Sequence, residues 1–194
     1  MIGVSNMNIG NRYNRSGFTL LELIVSISIM SILTALFLAN YHSNNQRTDL
    51  TMAAQTLVSD IRYAQANALG LIKYDGEVPA GGWGVFFTSG GENLDKYIIF
   101  ADENDDQLYT DTESLESLGG RIEELPPNIY ISNITLDGVG VNSVNVTFLP
   151  PDPITRINTH SATGTVVEIR LKETINNTTK TVRVNFLGLA EVID

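Results

Sequence analysis

One carboxylate stands inside an apolar stretch, and it is the first chemistry the chain offers. Residues 18–39 read FTLLELIVSISIMSILTALFLA, and Glu22 is the only charged residue among them. At about 1.5 Å per residue this run is long enough to cross a bilayer as a helix. An ionised carboxylate at that depth costs on the order of a few kcal/mol unless a cation meets it. No Lys or Arg lies between residues 16 and 46. A segment that served only as an anchor would carry Leu or Ile here, so Glu22 asks for a partner.

A second set of oxygens lies in Asp102-Glu103-Asn104-Asp105-Asp106 and the acid further on at Glu113. Asp102, Asn104, Asp106 and Glu113 occupy positions one, three, five and twelve of an EF-hand-like loop, a spacing at which hard oxygens converge on calcium. Two features argue the other way. Gln107 stands where such a loop needs glycine for its sharp turn, and the preceding residues, 96–101, read as a strand. The competing reading is a solvated hairpin tip without metal. No other cofactor is implied.

Enzyme chemistry finds no support in the residue types. The two histidines, His42 and His160, have no nucleophile or paired acid at motif spacing, and cysteine is absent. Gly81-Gly82-Trp83-Gly84 lacks a following Lys and precedes a strand, so its glycines read as turn residues rather than a phosphate cradle. The chain is expected not to be an enzyme.

These groups must be positioned by a chain of 194 residues with net charge −10. That is one domain plus an anchor, not two domains. Residues 1–17 hold Arg12 and Arg15 and no acid, so the remainder carries −10 − 2 = −12. Such an exterior disfavours nonspecific binding to DNA or anionic lipid, where Lys and Arg supply the affinity. The apolar run itself admits three readings. A buried core helix would show a polar face, which this run lacks after Glu22. A cleaved secretory signal would be shorter and would end on small residues, where Phe37-Leu38-Ala39 matches weakly. A retained single-pass anchor fits best, with the basic residues and hence the N-terminus in the cytoplasm.

Beyond the run, Leu50, Ala54, Leu57, Ile61, Ala64 and Ala68 recur at spacings of four and three, while Arg47, Asp49, Asp60 and Arg62 fall off that stripe. The periodicity predicts that the helix continues to Gly70, its natural stop. Asn40, Ser43, Asn44 and Asn45 form its weakest stretch, because their side chains compete for backbone hydrogen bonds. From residue 70 onward the pattern is β: 83–88, 96–101, 128–136, 143–149, 165–172 and 181–187, separated by Gly81-Gly82, Gly90-Gly91, Asp137-Gly138, 150–153 and Asn176-Asn177. One long helix followed by a strand-rich head is an α+β layout.

Gly17-Phe18-Thr19-Leu20-Leu21-Glu22 resembles the processing motif of type IV prepilins and pseudopilins: a basic leader, Gly, Phe, and Glu at the fifth mature position before an apolar helix. The order of helix, Gly82-Trp83-Gly84-Val85, Ile99-Phe100-Ala101-Asp102 and a second β block ending near Gly188 is similar to the GspH/FimT group of minor pilins and pseudopilins. The resemblance implies a pilin-like α+β fold, the long helix packed on an antiparallel head. It divides the chain into a cleaved leader (1–17), a transmembrane half-helix (18–39), an amphipathic half-helix (40–69) and a β-rich head (70–194). It implies cleavage between Gly17 and Phe18 by a prepilin peptidase, N-methylation of Phe18, and pairing of Glu22 with the N-terminal amine of a neighbouring subunit. Pairing of Glu22 with the amine of its own chain is the alternative. The implied partners are that peptidase, other pilin or pseudopilin subunits and the inner membrane. The implied role is a structural subunit of a type IV pilus or type II secretion pseudopilus. A filament-borne head binding DNA or another ligand is the second reading, against which the basic cluster Arg170, Lys172, Lys180 and Arg183 is thin.

Overall fold

The computed structural model describes residues 17–91, 94–109, 121–150, 154–158 and 165–193, with the backbone alone for 39–46. Arg12, Arg15, Glu113 and His160 lie outside the described residues, as do the side chains of Asn40, His42, Ser43, Asn44 and Asn45. One α-helix, α1 (Leu20–Leu69), precedes ten strands. The helix contains no Pro or Gly, and Ser26, Ser28, Ser31, Thr34 and Thr51 are compatible with it because each hydroxyl bonds to the carbonyl four residues before it. The chain divides into two compact units, Met1–His42 and Ser43–Asp194.

In the second unit the predicted stripe is buried: Leu50, Ala54, Leu57, Ile61, Ala64 and Ala68, joined by Ala53 and Val58. The strands form two antiparallel five-stranded sheets. The first has the order β3 (Arg121–Glu124), β2 (Lys96–Asp102), β1 (Gly82–Thr88), β6 (Ser143–Leu149), β7 (Ile154–Ile157). The second has the order β10 (Ala190–Ile193), β9 (Thr179–Asn185), β8 (Val166–Glu173), β4 (Ile129–Leu136), β5 (Val139–Val141). Alternate residues of each central strand enter one core: Trp83, Val85 and Phe87 with Val144, Val146 and Phe148 in the first sheet, Val167, Ile169 and Leu171 with Val182 and Val184 in the second.

Strand β4 places Ile129 and Ile131 in the core and also Ile134, which strict alternation would turn outward. A bulge between Ile131 and Asn133 resets the phase, and Ser132 Oγ, donating to the Arg170 carbonyl at 3.0 Å, holds it. Asp137 and Gly138, both at positive φ, close the β4–β5 hairpin as sequence reading expects of that pair. Gly82 is required where it stands. Its φ is +83°, and a Cβ there would lie 2.0 Å from the Phe148 carbonyl oxygen. The glycines before β1 therefore serve the turn and the close passage of β1 beside β6.

The helix stops at Leu69, but the left-handed residue that ends it is Leu71 (φ 50°), not Gly70. Ile72 N donates to Asn67 O at 3.0 Å and Leu71 N to Ala68 O at 3.2 Å, a closure that reaches one residue further than a glycine stop at 70 would. An L-residue with a large side chain in that conformation costs about 1 kcal/mol relative to glycine, and Leu71 is itself about half exposed. Leu71→Gly is therefore expected to stabilise the second unit by up to about 1 kcal/mol. Urea unfolding of the detergent-solubilised chain, followed by fluorescence of the single, buried Trp83, checks this; a lower midpoint would show that burial of Leu71 outweighs its strain.

Candidate functional site

The site begins where the helix begins. Gly17, Phe18 and Thr19 are non-helical, and Phe18 is 83% exposed. A Cβ on Gly17 would meet nothing within 4 Å, so the Gly17–Phe18 peptide bond lies open in a non-helical segment just ahead of the helix cap. Thr19 is that cap: its Oγ1 accepts a hydrogen bond from Glu22 N at 3.2 Å. Thr19-Leu20-Leu21-Glu22 has the spacing of a capping box, in which the Glu carboxylate bonds back to the cap residue's own N–H. Only the Thr half forms. No donor among the described residues reaches the Glu22 carboxylate.

The rest of the span deals with its polar groups internally. Ser26 Oγ donates to Glu22 O at 2.7 Å, Ser28 Oγ to Ile24 O, Ser31 Oγ to Ile27 O and Thr34 Oγ1 to Met30 O, the last three each at 2.8 Å. In an apolar medium an unsatisfied hydroxyl costs several kcal/mol; here every hydroxyl between Leu20 and Leu38 bonds to the carbonyl four residues before it. Leu20–Leu38 is long and apolar enough to span a membrane and is exposed throughout. Glu22 is the one polar side chain of the span left without a partner among the described residues. Its place in the first turn also sets it at the positive end of the helix dipole.

The acidic loop closes on its own backbone and side chains. Asp102, 3% exposed, accepts from Gln107 N through Oδ2 at 2.6 Å. Asn104 Oδ1 accepts from Asp106 N at 3.1 Å, Asn104 Nδ2 donates to Asp106 Oδ2 at 3.0 Å, and Asp106 Oδ1 accepts from Leu108 N at 2.8 Å. The three candidate ligands thus close two successive turns, with Asp105 and Gln107 at positive φ, and burial pushes the Asp102 carboxyl above its usual range. Among the described residues no three His, Asp or Glu side chains are gathered to hold a metal; the fourth expected ligand, Glu113, lies outside them. Past the loop the chain forms a cover: Tyr109 lies over Phe86 and Phe100, its ring centroid 5.1 and 5.9 Å from theirs, and its N–H donates to Asn145 Oδ1 at 2.8 Å.

Sequence reading places Asp60 off the buried stripe, and here the structure corrects it. Asp60 is 8% exposed. Tyr97 Oη donates to its Oδ2 at 2.5 Å and Arg121 Nη2 to its Oδ1 at 3.1 Å. Arg121 also lies 5.3 Å from the Tyr63 ring centroid and pairs with Glu123. Burial, and then the bond to Asp60, raise the Tyr97 hydroxyl far above its ordinary pKa. The signal was present in the spacing: Asp60 is three residues after Leu57 and four before Ala64, on the same face. A charge in that position reads as solvent-facing until the sheet residues that meet it are known. The opposite case is Glu173, whose carboxylate accepts from the N–H groups of Ile175 and Asn176 in its own hairpin turn; these bonds outweigh burial and hold its pKa below the usual value.

A family model described as the prokaryotic N-terminal methylation motif matches residues 12–38. The match covers the helix start, Glu22 and the apolar span, 27 of 194 residues, and supports a type IV pilin-like chain. No curated protein and no solved structure gives a significant match to the chain.

Proposed function

We propose, with the N-terminal methylation motif as the premise, that the chain is a structural subunit of a type IV pilus or type II secretion pseudopilus, a minor pilin or pseudopilin of the GspH/FimT kind. On this reading residues 1–17 are a leader removed by a prepilin peptidase between Gly17 and Phe18, and the freed Phe18 amine is methylated. The N-terminus lies in the cytoplasm and residues 70–194 form the extracytoplasmic head. The observation that carries the reading is the unpartnered Glu22 carboxylate in a span whose hydroxyls all bond to their own backbone. Cleavage would create a cationic amine four residues ahead of Glu22. Two charges, each costly alone in an apolar core, neutralise one another when the amine of one subunit meets the carboxylate of its neighbour, and so select the docking register. The acidic loop enters this reading as a turn closed by its own oxygens; calcium at Asp102, Asn104, Asp106 and Glu113 would have to displace those bonds.

The test is mass spectrometry of the N-terminal peptide from the full chain expressed with and without a prepilin peptidase. A peptide beginning at N-methyl-Phe18, formed only with the peptidase, is the expected result. A chain that keeps residues 1–17 in both cases would sink the reading.

A further inference from the structure

Four of the ten Lys and Arg that follow residue 17 lie in one hairpin: Arg170, Lys172, Lys180 and Arg183. Strand alternation turns Arg170 and Lys172 to the outer face of the second sheet, because Val167, Ile169 and Leu171 fill the core. On that face Arg183 is neutralised by Glu168 at 2.8 Å and approached by Glu191 at 4.0 Å. Arg170 is exposed and Lys172 half-buried, and no carboxylate among the described residues pairs with either. In a chain of net charge −10, two adjacent cations on an ordered sheet face that no described carboxylate pairs with are an unmatched surface.

The matching surface lies elsewhere in the same unit. A cavity of about 390 Å³ between the segment after the helix and the β2 turn is lined by Asp75, Glu77 and Glu103, with Val78 and Pro79. All of its charged lining residues are acids; Lys73, the nearest cation in sequence, is not among them. The two surfaces are different parts of one unit, so a contact between them joins unlike faces of two copies. Such a heterologous contact leaves one free face of each kind at the ends and propagates, as an isologous contact does not.

We infer that the outer face of the second sheet, through Arg170 and Lys172, docks on the Asp75–Glu77–Glu103 cavity of a second copy of this chain. The inference deepens the filament reading and rests on it only in requiring that copies assemble. Duplex DNA is the weaker occupant: two unmatched cations beside Glu168 and Glu191 fall well short of the roughly 6–10 phosphate contacts of DNA-binding proteins. Seating the cations in an acidic cavity also relieves the repulsion that a −10 chain otherwise meets on self-association.

The chain has no cysteine, so introduced thiols report without background. Two tagged full-length chains are co-expressed with the peptidase and oxidised in membranes. One carries Thr179→Cys, beside Lys172 on the sheet face; the other carries Val78→Cys at the cavity. The mixed pair is expected to cross-link about fivefold more than either like pair, to lose that excess with R170E/K172E, and to regain it when the Val78→Cys chain also carries E77K/E103K. Equal yields for all pairs, indifference to charge reversal, or a Thr179→Cys link only to a different protein would overturn the inference. So would a result in which reversal leaves the link intact and abolishes retention on a duplex DNA probe. The N-terminal peptide is read on the same samples. Residues 1–17 retained beside a charge-dependent link overturns the filament reading alone; cleavage without such a link overturns the docking surface alone.

Discussion

A Glu22→Ala chain is expected to be cleaved and methylated like the parent and yet to be depleted from filaments by about tenfold or more. The size follows from the medium: a charge pair in an apolar surrounding is worth on the order of a few kcal/mol once both partners are committed to it, and each 1.4 kcal/mol is about a factor of ten. Alanine makes residues 20–38 more apolar and more helical, so membrane insertion is not weakened, and the Thr19 cap, which uses the Glu22 backbone N–H, is untouched. Loss of assembly with processing intact therefore isolates the carboxylate. Quantifying variant and parent chains in sheared filaments, with the N-terminal peptide as the processing control, checks it. A variant that enters filaments at the parental level would leave Glu22 without an assembly role.

The second large effect is on stability. Asp60→Ala leaves the buried Tyr97 hydroxyl without its acceptor and takes one of two carboxylates from Arg121. Stranding buried donors in this way costs about 3 kcal/mol, offset by a few tenths for the better helix propensity of alanine. Tyr97→Phe, which removes the donor instead and lets the carboxylate keep Arg121, is expected to cost about 1 kcal/mol. With both changed there is no stranded pair, so the double variant should be less destabilised than the two single effects added together. Urea unfolding of the full chain in mild detergent, read at Trp83, gives all three values. If Asp60→Ala shifts stability by less than about 0.5 kcal/mol, the buried contacts around Asp60 do not tie the helix to the first sheet.

The difference between what the sequence made legible and what it did not is physical. Strands β1, β2, β4, β6, β8 and β9 were legible because each runs seven or eight residues rich in apolar and β-branched side chains between turn signals; β4 and β8 alternate, while β1, β2 and β6 are buried on both faces over much of their length. The four strands that periodicity missed, β3, β5, β7 and β10, are the four sheet edges. They are three or four residues long and pair on one side only, too short for a period of two to stand out even in β7, where Thr155 and Ile157 are buried; β3 and β5 are largely solvated. The helix stripe from Leu50 to Ala68 was visible for the same reason as the central strands. Asp60 was not, because its burial depends on Tyr97 and Arg121, 37 and 61 residues away. Gly70 marked the helix end to within two residues, but whether 70 or 71 takes the left-handed conformation is decided by which carbonyls the next N–H groups reach. At the site, the motif from Gly17 to Glu22 was legible as chemistry; that the hydroxyls of Ser26, Ser28, Ser31 and Thr34 are satisfied within the helix, leaving Glu22 the polar side chain of the span without a partner among the described residues, needed the structure.

Those four internally bonded hydroxyls have a consequence for transport between environments. A helix whose every hydroxyl is already bonded presents nearly the same apolar surface to lipid tails as to the side chains of like helices, so moving it from one to the other changes its solvation little, residue by residue. Extraction from a bilayer then needs no compensation along most of its length. The single group whose solvation differs sharply between the two surroundings is the Glu22 carboxylate at the N-terminal end of the span, and on the proposed filament reading the free-energy difference between a stored and an assembled chain is concentrated in that one turn.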